Sequence, residues 1–408
     1  MRYTRRVLIA SAAAMAVILM AGSGQAQKMY GPGASDTEIK VGNTNPYSGP
    51  ASAYGTIGKA IKAYFARVNA EGGINGRQIN IISLDDSYSP PKTVEQVRKL
   101  VEQEQVLFLF QTLGTPTNSA IHKYVNKKKV PHLFVATGAT KWGDPENFPW
   151  TMGWQPNYQT EARVYARYIL NNVKDPKIGV LYQNDDYGKD YLTGLRDGLG
   201  AKADQLIVEA VSYETSDPTV DSQIVSLKNS GANVFVNITT PKFSAQAIRK
   251  AHDIGWKPLQ LLNNVSTSIS RVMKPAGLEK SVGIISSAYI KGPTDPQWDN
   301  DPGMMAWRKW MKEYFPEGNL GNSFNVYAYT VAMTLEHVLR KAGDNLTRES
   351  IMKQAASLKG FELPTLLPGI KLNTSASDFR PIEQMQLQKF NGESWDLFGP
   401  VISGEVGT

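Results

Sequence analysis

Short apolar runs of β-forming residues alternate with amphipathic helical segments from residue 39 to residue 288, and that alternation restricts the chain to α/β architectures. Strands are predicted over 39–42, 78–84, 107–111 and 132–135, with helices over 55–71, 93–104 and 117–128 between them. The 55–71 segment places Ile57, Ala60, Ile61, Tyr64, Phe65 and Val68 on one face, as a helix lying on a sheet requires. Aromatic, glycine and proline residues from 142 to 156 break the pattern, which then restarts. The second series predicts helices over 158–172, 189–199, 220–229 and 244–254, and strands over 178–182, 207–213, 234–238, 259–262 and 284–288. Strand-helix-strand order demands parallel sheets covered on both faces, so each series is expected to form one doubly wound lobe.

A chain of 408 residues is too long for one core, which agrees with two similar lobes. Beyond residue 288 the pattern turns helical, over 304–315, 322–341 and 348–358. Short strands follow over 370–372, 384–390 and 395–398, the last two forming a hairpin around Asn391-Gly392. Strands after a helical block imply that the chain crosses between lobes more than once, through a multi-strand hinge. The expected division is 28–154 plus 289–368 for the first lobe and 155–288 plus 369–408 for the second. Residues 28–36, rich in Gly, Pro and Ser, are expected to be a mobile leader.

The N-terminus carries an address. Arg2, Arg5 and Arg6 precede an apolar run over 7–20, and small residues lead to Gly24-Gln25-Ala26. The run is short for a membrane span, so 1–26 reads as a secretory signal peptide cut after Ala26, leaving a periplasmic protein that spans no membrane. There is no cysteine, hence no lipid anchor at the cleavage site and no thiol nucleophile. The net charge of +7 falls to +4 without the three signal arginines, too small a balance to imply a nucleic-acid partner. Lys127 to Lys129 closes a helix, where cations suit the dipole.

Catalytic and metal signatures are missing. The four histidines, His122, His132, His252 and His337, stand far apart, and the sequence holds no nucleophile elbow, P-loop or dinucleotide fingerprint. No cofactor or metal is expected. Asp85-Asp86 and Asp185-Asp186 fall just beyond strand ends, where aspartates cap helices and close turns more often than they hydrolyse glycosides. The loop from Thr112 to Ala120 is more suggestive. Thr115 suits an N-cap and Pro116 a first helical turn, so backbone N–H groups should face outward there, as small anions require.

Several segments together resemble the type I periplasmic solute-binding proteins of ABC importers, in the leucine/isoleucine/valine-binding branch. They are 48–55 (Ser-Gly-Pro-Ala-Ser-Ala-Tyr-Gly), 69–76 (Asn-Ala-Glu-Gly-Gly-Ile-Asn-Gly), the Asp85-Asp86 strand end, Thr117-Asn118-Ser119-Ala120 and Asp186-Tyr187-Gly188. The resemblance covers nearly all of the exported chain. It implies that a ligand lies between hinged lobes, its carboxylate held by the Gly114-Thr115-Pro116-Thr117 loop and by the 136–140 loop through Gly138 and Thr140. Tyr54 and Tyr187 match positions that approach the ligand from either lobe. It also implies permease and ATPase partners and a monomer.

Two departures bear on specificity. Gly114 stands where amino-acid binders place a serine, and Phe243, or Lys242, where they place a glutamate for the ligand ammonium. A buried ammonium without a carboxylate costs several kcal/mol, so an α-amino acid is disfavoured. Aromatic surface from Tyr54, Trp142, Tyr187 and Phe243 suits an aromatic or hydrophobic acid instead. Branched-chain amino acid uptake, a ligand sensor and an exported hydrolase are the alternatives, the last in lowest place.

Overall fold

The computed structural model describes residues 28–403, so the expected signal peptide and its cut lie outside the described residues. Two separate sheets are built from the two series. In the first, four parallel strands run in the order Gln78–Asp85, Glu38–Asn45, Phe108–Phe110, His132–Leu133. Phe108, Leu109 and Phe110 are fully buried because helices cover both faces of their strand. One face packs on Thr56–Ala70 through Ile57, Ile61 and Phe65, and the other on Val97, Ile121 and Val125.

The second sheet has seven strands. Ile207–Tyr213, Ile178–Gln183, Val234–Ile238, Leu259–Leu262 and Ile285–Ala288 are parallel neighbours. Gln384–Phe390 and Trp395–Ser403 then close one edge as an antiparallel hairpin, paired in register at Phe390 and Trp395. Asn391-Gly392 makes the turn, with Gly392 at φ 108°, where a side chain would be strained.

The helices Pro302–Tyr314 and Ser323–Ala342 rejoin the first sheet, burying Trp307, Trp310, Val331 and Leu335 in its core. That core runs on through Ile370, Leu372, Phe379 and Ile382 before the chain enters the second sheet. The chain therefore passes between the two cores near 135–157, near 288 and near 382, which matches the expected multiple crossings. The fold is α/β, with two sheet-built lobes facing one another across a cleft.

Two local expectations fail. Residues 28–36 are docked and not a loose leader: Met29–Tyr30 pairs in parallel with Asn345–Leu346, and the Tyr30 hydroxyl accepts from the buried Arg77 at 2.8 Å. Arg77 also meets Asp344 at 2.6 Å, so one guanidinium ties three segments together. Residues 370–372 form no strand, only an isolated bridge between Phe361 and Leu372.

Candidate functional site

Between the two sheets lies a cleft whose atom-free space, including the part open to solvent, is about 1040 Å3. Its walls come from both sides: Tyr54, Tyr88, Gly114 and Thr115 from the first, Tyr187, Thr240 and Asn264 from the second. Tyr158, Tyr289, Phe324 and Tyr327 add aromatic surface, and the lining is more apolar than polar. The sides already touch. The Tyr54 hydroxyl donates to the Val265 carbonyl at 3.0 Å, and Ser268 Oγ donates to Asn322 Oδ1 at 2.9 Å.

Two helix N-termini open into this space. The helix Thr115–Lys127 starts from Gly114, at φ 101°, with no side chain capping its first turn. Thr115, the expected N-cap, is instead the first helical residue, and its Oγ1 lies 2.5 Å from Thr137 Oγ1. The second helix, Pro241–Asp253, follows Thr240, which likewise makes no side-chain cap; its N–H donates to the Tyr213 hydroxyl at 3.0 Å. Uncapped first turns leave donors and a positive dipole end facing the cleft.

A third helix, Asp186–Leu199, begins differently. Asp185 accepts from the Tyr187 and Gly188 N–H groups at 2.9 and 3.4 Å, so a carboxylate of the chain already occupies that end. What this helix gives the cleft is the Tyr187 side chain. It is 2% exposed and its hydroxyl has no hydrogen-bond partner. Burial among Tyr213, Tyr54, Tyr158 and Tyr88 raises its pKa well above the usual phenol value, so it remains a donor. An unpartnered buried donor facing a cleft costs free energy until an acceptor arrives.

Of the nine residues singled out from the sequence, Tyr54, Gly114, Thr115 and Tyr187 line the cleft. The other five are engaged elsewhere. Thr117 Oγ1 donates back to the Leu113 and Gly114 carbonyls. The Gly138 carbonyl accepts from Tyr158 N–H at 2.8 Å. Thr140 donates to Asp190 through both N–H and hydroxyl, at 2.8 and 3.0 Å, so a carboxylate already sits where its ligand was expected. Trp142 is core, edge-on to His122, and Phe243 is core, 4.4 Å from Tyr213 between ring centroids. The end of the Leu259–Leu262 strand also reaches the cleft, where it presents Asn264. Its side-chain amide donates to Glu161, a fully buried carboxylate that also accepts from Tyr191 at 2.5 Å and Ser287 at 2.9 Å.

The residues missed are chiefly tyrosines. Tyr88 follows the Asp85-Asp86 strand end, a visible signal, but its inward aim depends on positive φ at Ser87 and Tyr88, of 53° and 59°. Tyr289 and Tyr327 lie far along the chain, and only the tertiary crossing brings them in.

Asp85, His132 and His122 are held in contacts within the fold. Burial pushes the Asp85 carboxyl up, but the Ser48 hydroxyl at 2.5 Å, the Ser87 and Ser48 N–H groups and the nearby Lys92 outweigh it and hold its pKa down to about 2. His132 is pushed to about 3 by burial, and its Nε2 lies 2.5 Å from Thr112 Oγ1 and 3.0 Å from Asn118 Oδ1. His122, pushed to about 4, stacks on Phe148. Among the described residues no group of three or more His, Asp or Glu could hold a metal ion, and no helix is long and apolar enough to cross a membrane.

Two facing α/β bodies around a cleft of hydroxyls, aromatics and helix N-termini define a binding protein of the type I periplasmic class. The chain belongs to the periplasmic binding protein family, whose model matches residues 38–394. Among curated relatives it is 25% identical over 336 residues to Leu/Ile/Val-binding protein homolog 2 of Brucella abortus (strain 2308), covering 80% of this chain and 85% of that one. Among solved structures it is similar to a branched chain amino acid ABC transporter from Thermus thermophilus with bound valine, at TM-score 0.80 and 16% identity over 91% of this chain and 97% of that one. A fatty acid ABC transporter substrate-binding protein from Thermomonospora curvata shares the fold at TM-score 0.75 and 21% identity, over 93% of this chain and 95% of that one.

Proposed function

We propose that the chain is the periplasmic substrate-binding component of an ABC importer and that its cleft captures a small aromatic or hydrophobic carboxylic acid. The observation that carries this reading is the Tyr187 hydroxyl, buried and unpartnered, in one cleft with the uncapped Gly114-Thr115 helix end. A carboxylate would accept from both at once, and charge-assisted bonds of that kind contribute about 1.5–3 kcal/mol each. Tyrosine and phenylalanine rings would cover the rest of the molecule.

An α-amino acid fits less well. Asp295 is the one carboxylate among the described lining residues, and both its oxygens accept from Gln297, at 3.1 and 2.5 Å. Asn264, which the end of the Leu259–Leu262 strand presents to the cleft, is neutral. The names of the relatives favour branched-chain amino acids as the second reading. Isothermal titration against benzoate, phenylpropenoate, octanoate, leucine and valine decides between them. Tight leucine or valine binding with no heat from the other acids would overturn the acid reading.

On this reading the protein performs no chemistry and acts as a monomer. The expected division, 28–154 plus 289–368 against 155–288 plus 369–408, gives the two moving lobes, except that 369–382 packs on the first core and moves with it. The ligand favours the form in which the lobes meet. A permease and ATPase pair would recognise that form. A receptor would do so if the role is sensing, and genes adjacent to this one separate the two.

A further inference from the structure

We infer that Tyr88 is a specificity-determining side chain, a fixed wall that restricts the cleft to acids without a substituent beside the carboxylate. The inference rests on the carboxylate reading above and adds to it the shape of the acid. A Cβ built on Gly114 would collide with the Tyr88 ring and stand 2.7 Å from Thr117 Oγ1. The ring therefore lies directly against the backbone that would hold the carboxylate. The first atoms attached to that carboxylate must pass beside it.

The wall cannot swing away easily, because it is held at both ends. At its base Ser87 and Tyr88 are consecutive residues at positive φ, 53° and 59°, a conformation that side chains other than glycine adopt only when held there. Asp85 Oδ1 accepts the Ser87 N–H at 2.9 Å and Asp86 Oδ1 accepts the Tyr88 N–H at 3.0 Å. Asp86 is itself buried, with Thr93 Oγ1 donating to Oδ2 at 2.9 Å, and Ser89 N–H donates to its carbonyl at 2.9 Å. At the tip the Tyr88 hydroxyl lies 3.5 Å from Gln183 Nε2 on the opposite side of the cleft. Gln183 is fixed in turn, by Asp185 through Nε2 at 2.5 Å and by the Tyr213 hydroxyl through Oε1 at 2.9 Å. Tyr88 is 7% exposed, so little room remains around it.

A rigid wall discriminates by size, and one methyl group against such a wall changes affinity about 10–200-fold. The test uses two pairs of acids equal in charge: phenylpropenoate with its α-methyl derivative, and 4-methylbenzoate with 2-methylbenzoate. In the unaltered protein the crowded member of the pair that binds should be weaker by at least about tenfold. Tyr88→Ala should bring the two within about threefold, while Tyr88→Phe, which keeps the ring and loses only the Gln183 contact, should keep the full ratio. Equal binding of both members by the unaltered protein would overturn the inference without any variant, and so would a ratio that survives Tyr88→Ala. Failure to bind either pair, or octanoate, would instead overturn the carboxylate reading on which the inference stands.

Discussion

The loops at 112–117 and 183–188 are the same device, a strand feeding a helix, yet they meet the cleft in opposite ways. The second spends its helix dipole on its own Asp185 carboxylate and offers the ligand only the Tyr187 hydroxyl. The first leaves its helix end uncapped at Gly114 and is braced from behind by neutral groups, His132, Thr112 and Asn118. A helix N-terminus is thus a candidate anion site only where the chain has not filled it, and what stands behind it decides when it fails.

Acid should separate the two loops most strongly. An unfolded imidazole takes up a proton near pH 6.5, whereas burial holds His132 off until about 3. Its pKa is lower in the folded state, so its contribution is fully present above about pH 6.5 and is lost as pH falls toward about 3. At about 1.36 kcal/mol per unit this amounts to several kcal/mol, and His122, pushed to about 4, acts in the same direction. Urea midpoints of the unaltered protein should fall steadily from pH 6.5 to 4, and His132→Gln should flatten that slope. A midpoint constant over that range would show that the first loop is not braced by a neutral imidazole.

Substituting the loops themselves comes next. Gly114→Ala adds a Cβ at φ 101° against Tyr88 and should lower acid affinity by about 100-fold or more. Tyr187→Phe removes one donor and nothing else, so a loss of about 10–100-fold is expected, with thermal stability unchanged or slightly raised because the hydroxyl has no partner in the free protein. Titration calorimetry and thermal melts of both variants check this order. If Tyr187→Phe proved the more damaging, the second loop would be the principal anchor.

How much of this the sequence discloses follows from the range of the interactions. Strands Ile207–Tyr213, Val234–Ile238, Leu259–Leu262 and Gln384–Phe390 fall where alternation and turn residues put them, because those signals are local. Gly114 and Tyr187 are also legible, since each stands at a strand-to-helix junction. Thr140 and Phe243 are not. Each occupies such a junction as well, but Thr140 donates to Asp190, fifty positions on, and Phe243 packs on Tyr213, thirty positions back. Composition cannot tell a hydroxyl that faces a cleft from one already satisfied by a distant carboxylate. The leader at 28–36 misleads for the same reason, since Arg77 and Asp344 hold it from far along the chain.

The smallest effect is the most pointed test of how the two loops come together. Lys141 Nζ lies 2.6 Å from Asp186 Oδ2 and 2.6 Å from Ser119 Oγ, so it bridges the helices that follow the two loops. The pair looks like a clasp, but Lys141 and Asp186 are 35% and 57% exposed, and ion pairs so open to water contribute about 0–1 kcal/mol. Lys141→Ala should therefore weaken acid binding by less than about fivefold, with the change mostly in the dissociation rate, and 0.5 M salt should erase most of the difference. Contacts to the ligand would then supply most of the closing force, as a trap that must open again requires. A loss comparable to that of Tyr187→Phe would mean that surface charge holds the lobes together before any ligand enters, and the asymmetry between the loops would matter less than the bridge between their helices.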